Sequence, residues 1–295
     1  MKDIIYEFLD YITIEKNYSD YTETNYEIDL FKYEEYLKKH NLNYKSVKYK
    51  DISNFIISLK EAKYKSTSIN RIISSLKSFY AFLEKNHYIK NNPFSLVKSV
   101  KTEKRLPNYF KYEEFKTMLE VIENSPLGIR NRLILELLLA TGMRVSELAN
   151  LKINDIDINA REIRVFGKGK KERIVYFGNY SLNALNDYLN NSRSILLNGK
   201  NSDYLLLNNN GGNLTDRGIR LIIQNIVKKA CIKSKVSPHT FRHTFASLML
   251  NEGCDIKSVQ ELLGHASLST TGIYTHLTNE EVRRVYLNSH PHGKE

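Results

Sequence analysis

Apolar residues return at helical spacing four times within the first hundred positions, so that stretch reads as helix throughout. The sets are Ile4, Ile5, Phe8, Leu9 and Ile12; Tyr26, Leu30, Tyr33 and Leu37; Ile52, Phe55, Ile56 and Leu59; and Ile69, Ile72, Ile73, Leu76, Phe79, Tyr80 and Leu83. Steps of three and four place each set on one face of a helix. Ser66 and Thr67 are candidate caps for the fourth. Asn92-Pro93 closes the stretch, because the residue before proline is pushed away from helical dihedrals. Four helices on short loops make a small bundle. The tyrosines and phenylalanines within them are read as core in preference to base-stacking platforms.

Residues 98–107 lack periodicity, carry charge and read as a linker. They divide the chain into a helical domain, 1–97, and a second domain, 108–295, in keeping with a length of 295 residues. The second domain mixes element types. Helical patterns cover about 111–123, 128–140, 180–192, 215–230, 239–252 and 255–263, with another after Asn279. Between them, the strand-rich runs Glu162–Phe166 and Arg173–Phe177 flank a Gly-Lys-Gly turn, which signals a hairpin. The expected fold is mainly α with a small β-sheet: a four-helix N-terminal domain followed by an α+β domain.

The net charge of +11 favours a polyanionic partner, and its placement says more than its size. Residues 1–40 hold 5 basic and 10 acidic side chains, whereas residues 41–107 hold 14 basic and 4 acidic. The basic excess includes Lys45, Lys48, Lys63, Lys65, Arg71 and Lys77, spread over the predicted helices. This is read as a face that meets nucleic acid, with a merely solvated face as the bland alternative. No apolar run is long enough to span a membrane, so no membrane insertion is expected. The N-terminus carries acids among its apolar residues and fits neither a signal nor a transit peptide. Cys231 and Cys254, the only two cysteines, lack metal-ligand spacing and read as reduced thiols in cytoplasm.

Taken singly, the polar residues of the second domain carry little. Arg144 in TGMRVSEL could be a surface arginine, and His265 in LLGHASL a helix-capping histidine. His239 and His243, four apart, could suggest a metal pair, but no glutamate follows His239 as in a zinc protease helix and no third ligand is evident. Order and spacing change the reading. ATGMRVSEL, GKGKKERIV, SPHTFRHTFAS, LLGHASLSTTGIYTH and EEVRRVYLNSHP follow one another, with Tyr274 nine positions after His265. In this the chain resembles the tyrosine recombinases (phage integrase family), and among them the Xer recombinases that resolve chromosome dimers in bacteria. The resemblance runs over essentially the whole chain.

That resemblance implies a SAM-like core-binding domain before a tyrosine recombinase catalytic domain. It implies catalytic roles for Arg144, Lys168, His239, Arg242 and His265, with Tyr274 as nucleophile and Glu147 in support. Double-stranded DNA is the implied partner, with Lys170, Lys171 and Arg173 of the hairpin adding to the basic residues above. A cyclic homo- or hetero-tetramer on DNA is implied too. In it the final helix, with Val282, Val285, Tyr286 and Leu287, is donated to a neighbour in preference to packing on its own domain. A second recombinase or a cell-division regulator would be a further partner. The compact size and the start at the first helix favour a chromosomal role over a mobile-element or phage integrase. A type IB topoisomerase and a DNA-binding protein with a vestigial site are the rival readings.

The chemistry accounts for the residue types. A tyrosine hydroxyl has a reference pKa near 10, so only about one in a thousand is ionised at neutral pH, a cost of roughly 4 kcal/mol without help. Attack on a phosphodiester builds negative charge on the non-bridging oxygens. Two guanidiniums can grip these with paired hydrogen bonds, which lysine cannot reproduce. Each such donor is worth about a hundredfold or more in rate. His239 suits a general base or relay, His265 a further donor, and Lys168 a proton source for the departing 5′ oxygen. No Walker sequence and no acidic metal cluster occurs, which agrees with the cofactor-free transesterification expected.

Overall fold

The computed structural model describes residues 1–16, 18, 20–102, 109–167, 172–264 and 279–290. The chain divides into two compact units, Met1–Arg105 and Leu106–Glu295.

The first unit contains α1 (Lys2–Ile14), α2 (Asp20–Lys39), α3 (Tyr49–Glu61) and α4 (Ser66–Lys85), one for each apolar set. Its core is made from those sets: Ile5, Phe8, Leu30, Ile52, Ile72, Leu76, Phe79 and Leu83 are all sealed from solvent. Each contributes roughly 1.5–3 kcal/mol by leaving water. Phe8, Tyr33, Phe55, Phe79, Tyr80 and Phe82 are core, as expected, whereas Tyr6 and Tyr49 are exposed. The Tyr33 and Tyr80 hydroxyls meet at 3.1 Å in the interior, and Tyr80 donates to the Tyr44 carbonyl at 3.0 Å, so neither hydroxyl is stranded.

One expectation is corrected here. The N-cap of α4 is Lys65, whose side chain caps nothing, and Ser66 lies already inside the helix. Val100 exchanges two hydrogen bonds with the Asn70 side chain of α4, at 2.7 and 2.9 Å, which fixes the backbone there.

In the second unit α5 (Tyr112–Glu120) precedes α6 (Pro126–Thr141). Pro126 fills the first helical position, and the Ser125 hydroxyl accepts from the Gly128 N–H at 3.1 Å. From Leu133 to Thr141 every α6 residue is buried. A helix apolar on all sides must be central, and α6 packs against α8 and α11. The remaining elements are α7 (Val145–Ala149), β1 (Ile156–Asp157), β2 (Glu162–Phe166), β3 (Glu172–Tyr176), α8 (Asn179–Asn191), α9 (Arg193–Leu197), α10 (Asp216–Lys229), α11 (Pro238–Asn251), α12 (Ile256–Leu263) and α13 (Asn279–Ser289). The strands form an antiparallel sheet in the order β1-β2-β3. Ile163 faces Val175 and Val165 faces Arg173, so the buried face of β2 and the side chain of Arg173 share one side of the sheet.

In the single chain α13 packs on its own unit, against α11, α12 and β3. Tyr286 is fully buried and stacks on His290, which in turn stacks on Phe245 of α11. Val282, Val285 and Leu287 are partly buried beside them. An amphipathic helix with no neighbouring copy buries its apolar face where it can.

Candidate active site

Helix α6 ends at Gly142, whose left-handed backbone (φ +58°) turns the chain sharply into Met143 and Arg144. Glycine is needed there twice over, because a Cβ would lie 2.7 Å from the Phe245 ring and 2.9 Å from Leu263. Arg144 is then the N-cap of α7. Its own N–H donates to Glu147 Oε2 at 2.7 Å, and its Nη1 donates to Glu147 Oε1 at 2.8 Å. With its side chain 40% exposed, the guanidinium keeps an open edge.

Helix α11 supplies the next pair. Ser237 caps it, accepting from the Thr240 N–H, and Pro238 occupies the first turn, which places His239 and Arg242 one turn apart. Arg242 reaches across to two backbone carbonyls, Gly142 at 2.8 Å through Nη1 and Leu263 at 2.5 Å through Nη2. The structure thus brings Arg144, His239 and Arg242 together at one cleft, with His243, Gln260 and Leu263 also on its wall.

One carboxylate balances this cationic group. Burial alone would raise the pKa of Glu147; the hydrogen bonds and charge of Arg173, and then those of Arg144, outweigh it and hold the carboxyl below its ordinary value. Arg242 is pushed down to about 10 by desolvation first, and then by Arg144 and Arg173, with Glu147 opposing. His239 is lowered by partial desolvation and then by the positive charge of Arg220, His243, Arg242 and Arg144. Both effects favour the neutral ring, the form able to accept a proton.

Lys168, Lys170, Lys171, His265 and Tyr274 lie outside the described residues. In sequence, Lys168 falls between strands β2 and β3, and His265 directly follows Leu263 and Gly264, which end α12. Arg173, expected to join the hairpin lysines on DNA, is engaged by groups of its own unit. Its two amino groups donate to the two oxygens of Glu147, each at 2.8 Å, and its side chain is only 14% exposed. The signal was legible: Arg173 is two positions before Val175, and the period of a strand puts both on the inward face. Arg220 was also missed, although DRGIR carries two arginines three apart on one helix face.

In the first unit Lys45, Lys48, Lys63 and Lys65 are exposed, and Lys77 is partly so. Arg71 is half committed, with Nη1 donating to buried Asp29 Oδ2 at 2.6 Å. Among the described residues no helix is long and apolar enough to cross a membrane.

Residues 108–281 match the phage integrase family, and residues 5–87 match the family's N-terminal SAM-like domain. Over 288 residues the chain is 46% identical to a protein named tyrosine recombinase XerC from Oceanobacillus iheyensis, covering 96% of this chain and 94% of that one. It is 43% identical to the protein of the same name from Bacillus subtilis, over 99% of this chain and 97% of the other. A solved structure of XerH site-specific recombinase, bound to palindromic difH substrate in a post-cleavage complex, covers 97% of this chain and 85% of its own, with TM-score 0.73 and 25% identity. Family, fold and the arginine cleft agree: the chain belongs to the phage integrase family, as a site-specific tyrosine recombinase.

Proposed function

We propose that this chain cuts and rejoins double-stranded DNA at a specific site, with Tyr274 attacking the scissile phosphate, and that it resolves chromosome or plasmid dimers. The observation that carries the reading is the convergence of Arg144, Arg242 and His239 on one cleft, with Glu147 fixing the first arginine. Two guanidiniums on one cleft suit the non-bridging oxygens of a phosphodiester, where negative charge grows during attack. His239 takes the tyrosine proton, His265 donates to the phosphate, and Lys168 protonates the leaving 5′ oxygen. The products are a 3′-phosphotyrosyl bond and a free 5′ hydroxyl. The reverse attack by a new 5′ hydroxyl restores the phosphodiester, so no energy source is consumed.

Residues 1–97 serve as the core-binding domain, with Lys45, Lys48, Lys63, Lys65, Arg71 and Lys77 on the phosphate backbone. Lys170 and Lys171 do the same within the catalytic domain of residues 108–295. A tetramer on DNA forms as α13 leaves its own unit for the same surface of a neighbour, an exchange that preserves its contacts at little net cost. The site of action is the cytoplasm. The test is a supercoiled plasmid carrying two copies of a candidate resolution site, incubated with protein in buffer without ATP. Release of two smaller circles is the expected product. Relaxed circles of unchanged size would mark a topoisomerase, and binding without cleavage would overturn the reading.

A further inference from the structure

We propose that Arg173 is a positioning residue for the strand-cutting step, tying strand β3, the Arg144 turn and the end of α12 into one frame. The inference rests on the proposed phosphate-gripping role of Arg144 and Arg242.

Every donor of the guanidinium that the hydrogen bonds identify is used internally. Nη1 and Nη2 take the two oxygens of Glu147, each at 2.8 Å, and Nε donates to the Leu262 carbonyl at 3.2 Å. Leu262 and Leu263 are the last residues of α12, where carbonyls lack intrahelical donors. Arg173 serves the first of these carbonyls and Arg242 serves the second. The two arginines therefore hold adjacent carbonyls on the turn that leads to His265, and one carboxylate joins Arg173 to Arg144.

Gly264 supplies independent support. Its left-handed backbone (φ +66°) is open to glycine, and a Cβ there would fall 2.9 Å from Arg173 Cδ and 3.1 Å from Nε. The turn is shaped to let this side chain pass. A fork–fork pair plus a third bond from Nε needs a planar guanidinium, so lysine would keep the charge and lose the frame.

The test uses Arg173→Lys and Arg173→Gln in the full-length protein, with single-turnover cleavage of a nicked suicide duplex at saturating protein, and DNA affinity measured over a salt series. The expected result is a cleavage rate lowered at least tenfold in both, with affinity and salt slope within about twofold of wild type. Adding Glu147→Gln should cost less in the Arg173→Gln background than in wild type, since both act through one pair. If Arg173→Gln fails to fold, Arg173→Lys decides alone. Wild-type cleavage rates in the lysine variant, or a flattened salt slope with cleavage intact, would overturn the proposal, the second by marking a direct phosphate contact. A wild-type protein that forms no covalent adduct would instead overturn the tyrosine-attack reading.

Discussion

Glu147 holds Arg144 at two points, taking the backbone N–H on one oxygen at 2.7 Å and the guanidinium on the other at 2.8 Å. A single carboxylate thus fixes both where the arginine sits and where it points. The arrangement exists because Glu147 lies three residues into α7, the position from which an acid reaches back to the helix start. Replacing it by Gln keeps the shape and removes the charge. The expected outcome is a cleavage rate reduced about tenfold or more, with DNA binding unchanged or slightly tighter, read by single-turnover cleavage and fluorescence anisotropy. Equal rates for variant and wild type would show that the clamp sets itself.

The same residue predicts a pH dependence of stability. Its folded pKa is depressed, so its contribution is fully present above the unfolded value. That contribution is lost as pH falls through the folded one. The stability gap between wild type and Glu147→Gln should therefore be constant at neutral pH and close below the ordinary glutamate range of about 4.3. Urea unfolding midpoints at a series of pH values measure it. A gap that widened toward acid would contradict the assignment.

His239 gives a prediction on rate. Because its pKa lies below the ordinary histidine value, cleavage should hold from neutral pH down past 6.5 before falling on the acid side. His239→Gln should lower the plateau and remove that acid limb. Titration of the ring by NMR supplies the value directly, and a value above 6.5 would contradict the environment described.

Much of this was legible beforehand. The four apolar sets of residues 1–100 became four helices, because burial in a small bundle leaves 3.6-residue periodicity in the text. Arg144, His239 and Arg242 converge because Gly142, the capping Ser237 and Pro238 fix the local turns. What escaped was short or relational. Helices α7 and α9 and strand β1 span five, five and two residues, too few to show a period. The start of α4 escaped because Lys65 makes no side-chain cap that a capping pattern could signal. The pairing of Arg173 with Glu147 joins positions 26 apart in sequence, which no local pattern encodes. Packing of α13 on its own unit depends on which apolar surface is within reach.

That packing is open to test. Tyr286→Ala removes a fully buried ring from between Tyr176 and His290, at a cost of order 3 kcal/mol to the attachment of α13. Amide exchange over residues 279–289 should accelerate while Leu133–Ala140 of α6 stays protected. Uniform acceleration across the unit would show α13 to be integral to the core and unfit for exchange.

Lys63 and Lys65 test the basic face of the first unit. Changing both to Glu should weaken DNA binding and reduce the salt slope by about one for each lost phosphate contact. An unchanged slope would move the DNA-facing surface elsewhere.

The most direct test of the account is covalent trapping by Tyr274→Phe beside wild type on a nicked suicide substrate. The account predicts a protein–DNA adduct for wild type, none for the variant, and near-equal affinity for the site. An adduct formed by the phenylalanine variant would contradict it outright, because the nucleophile would then be another residue.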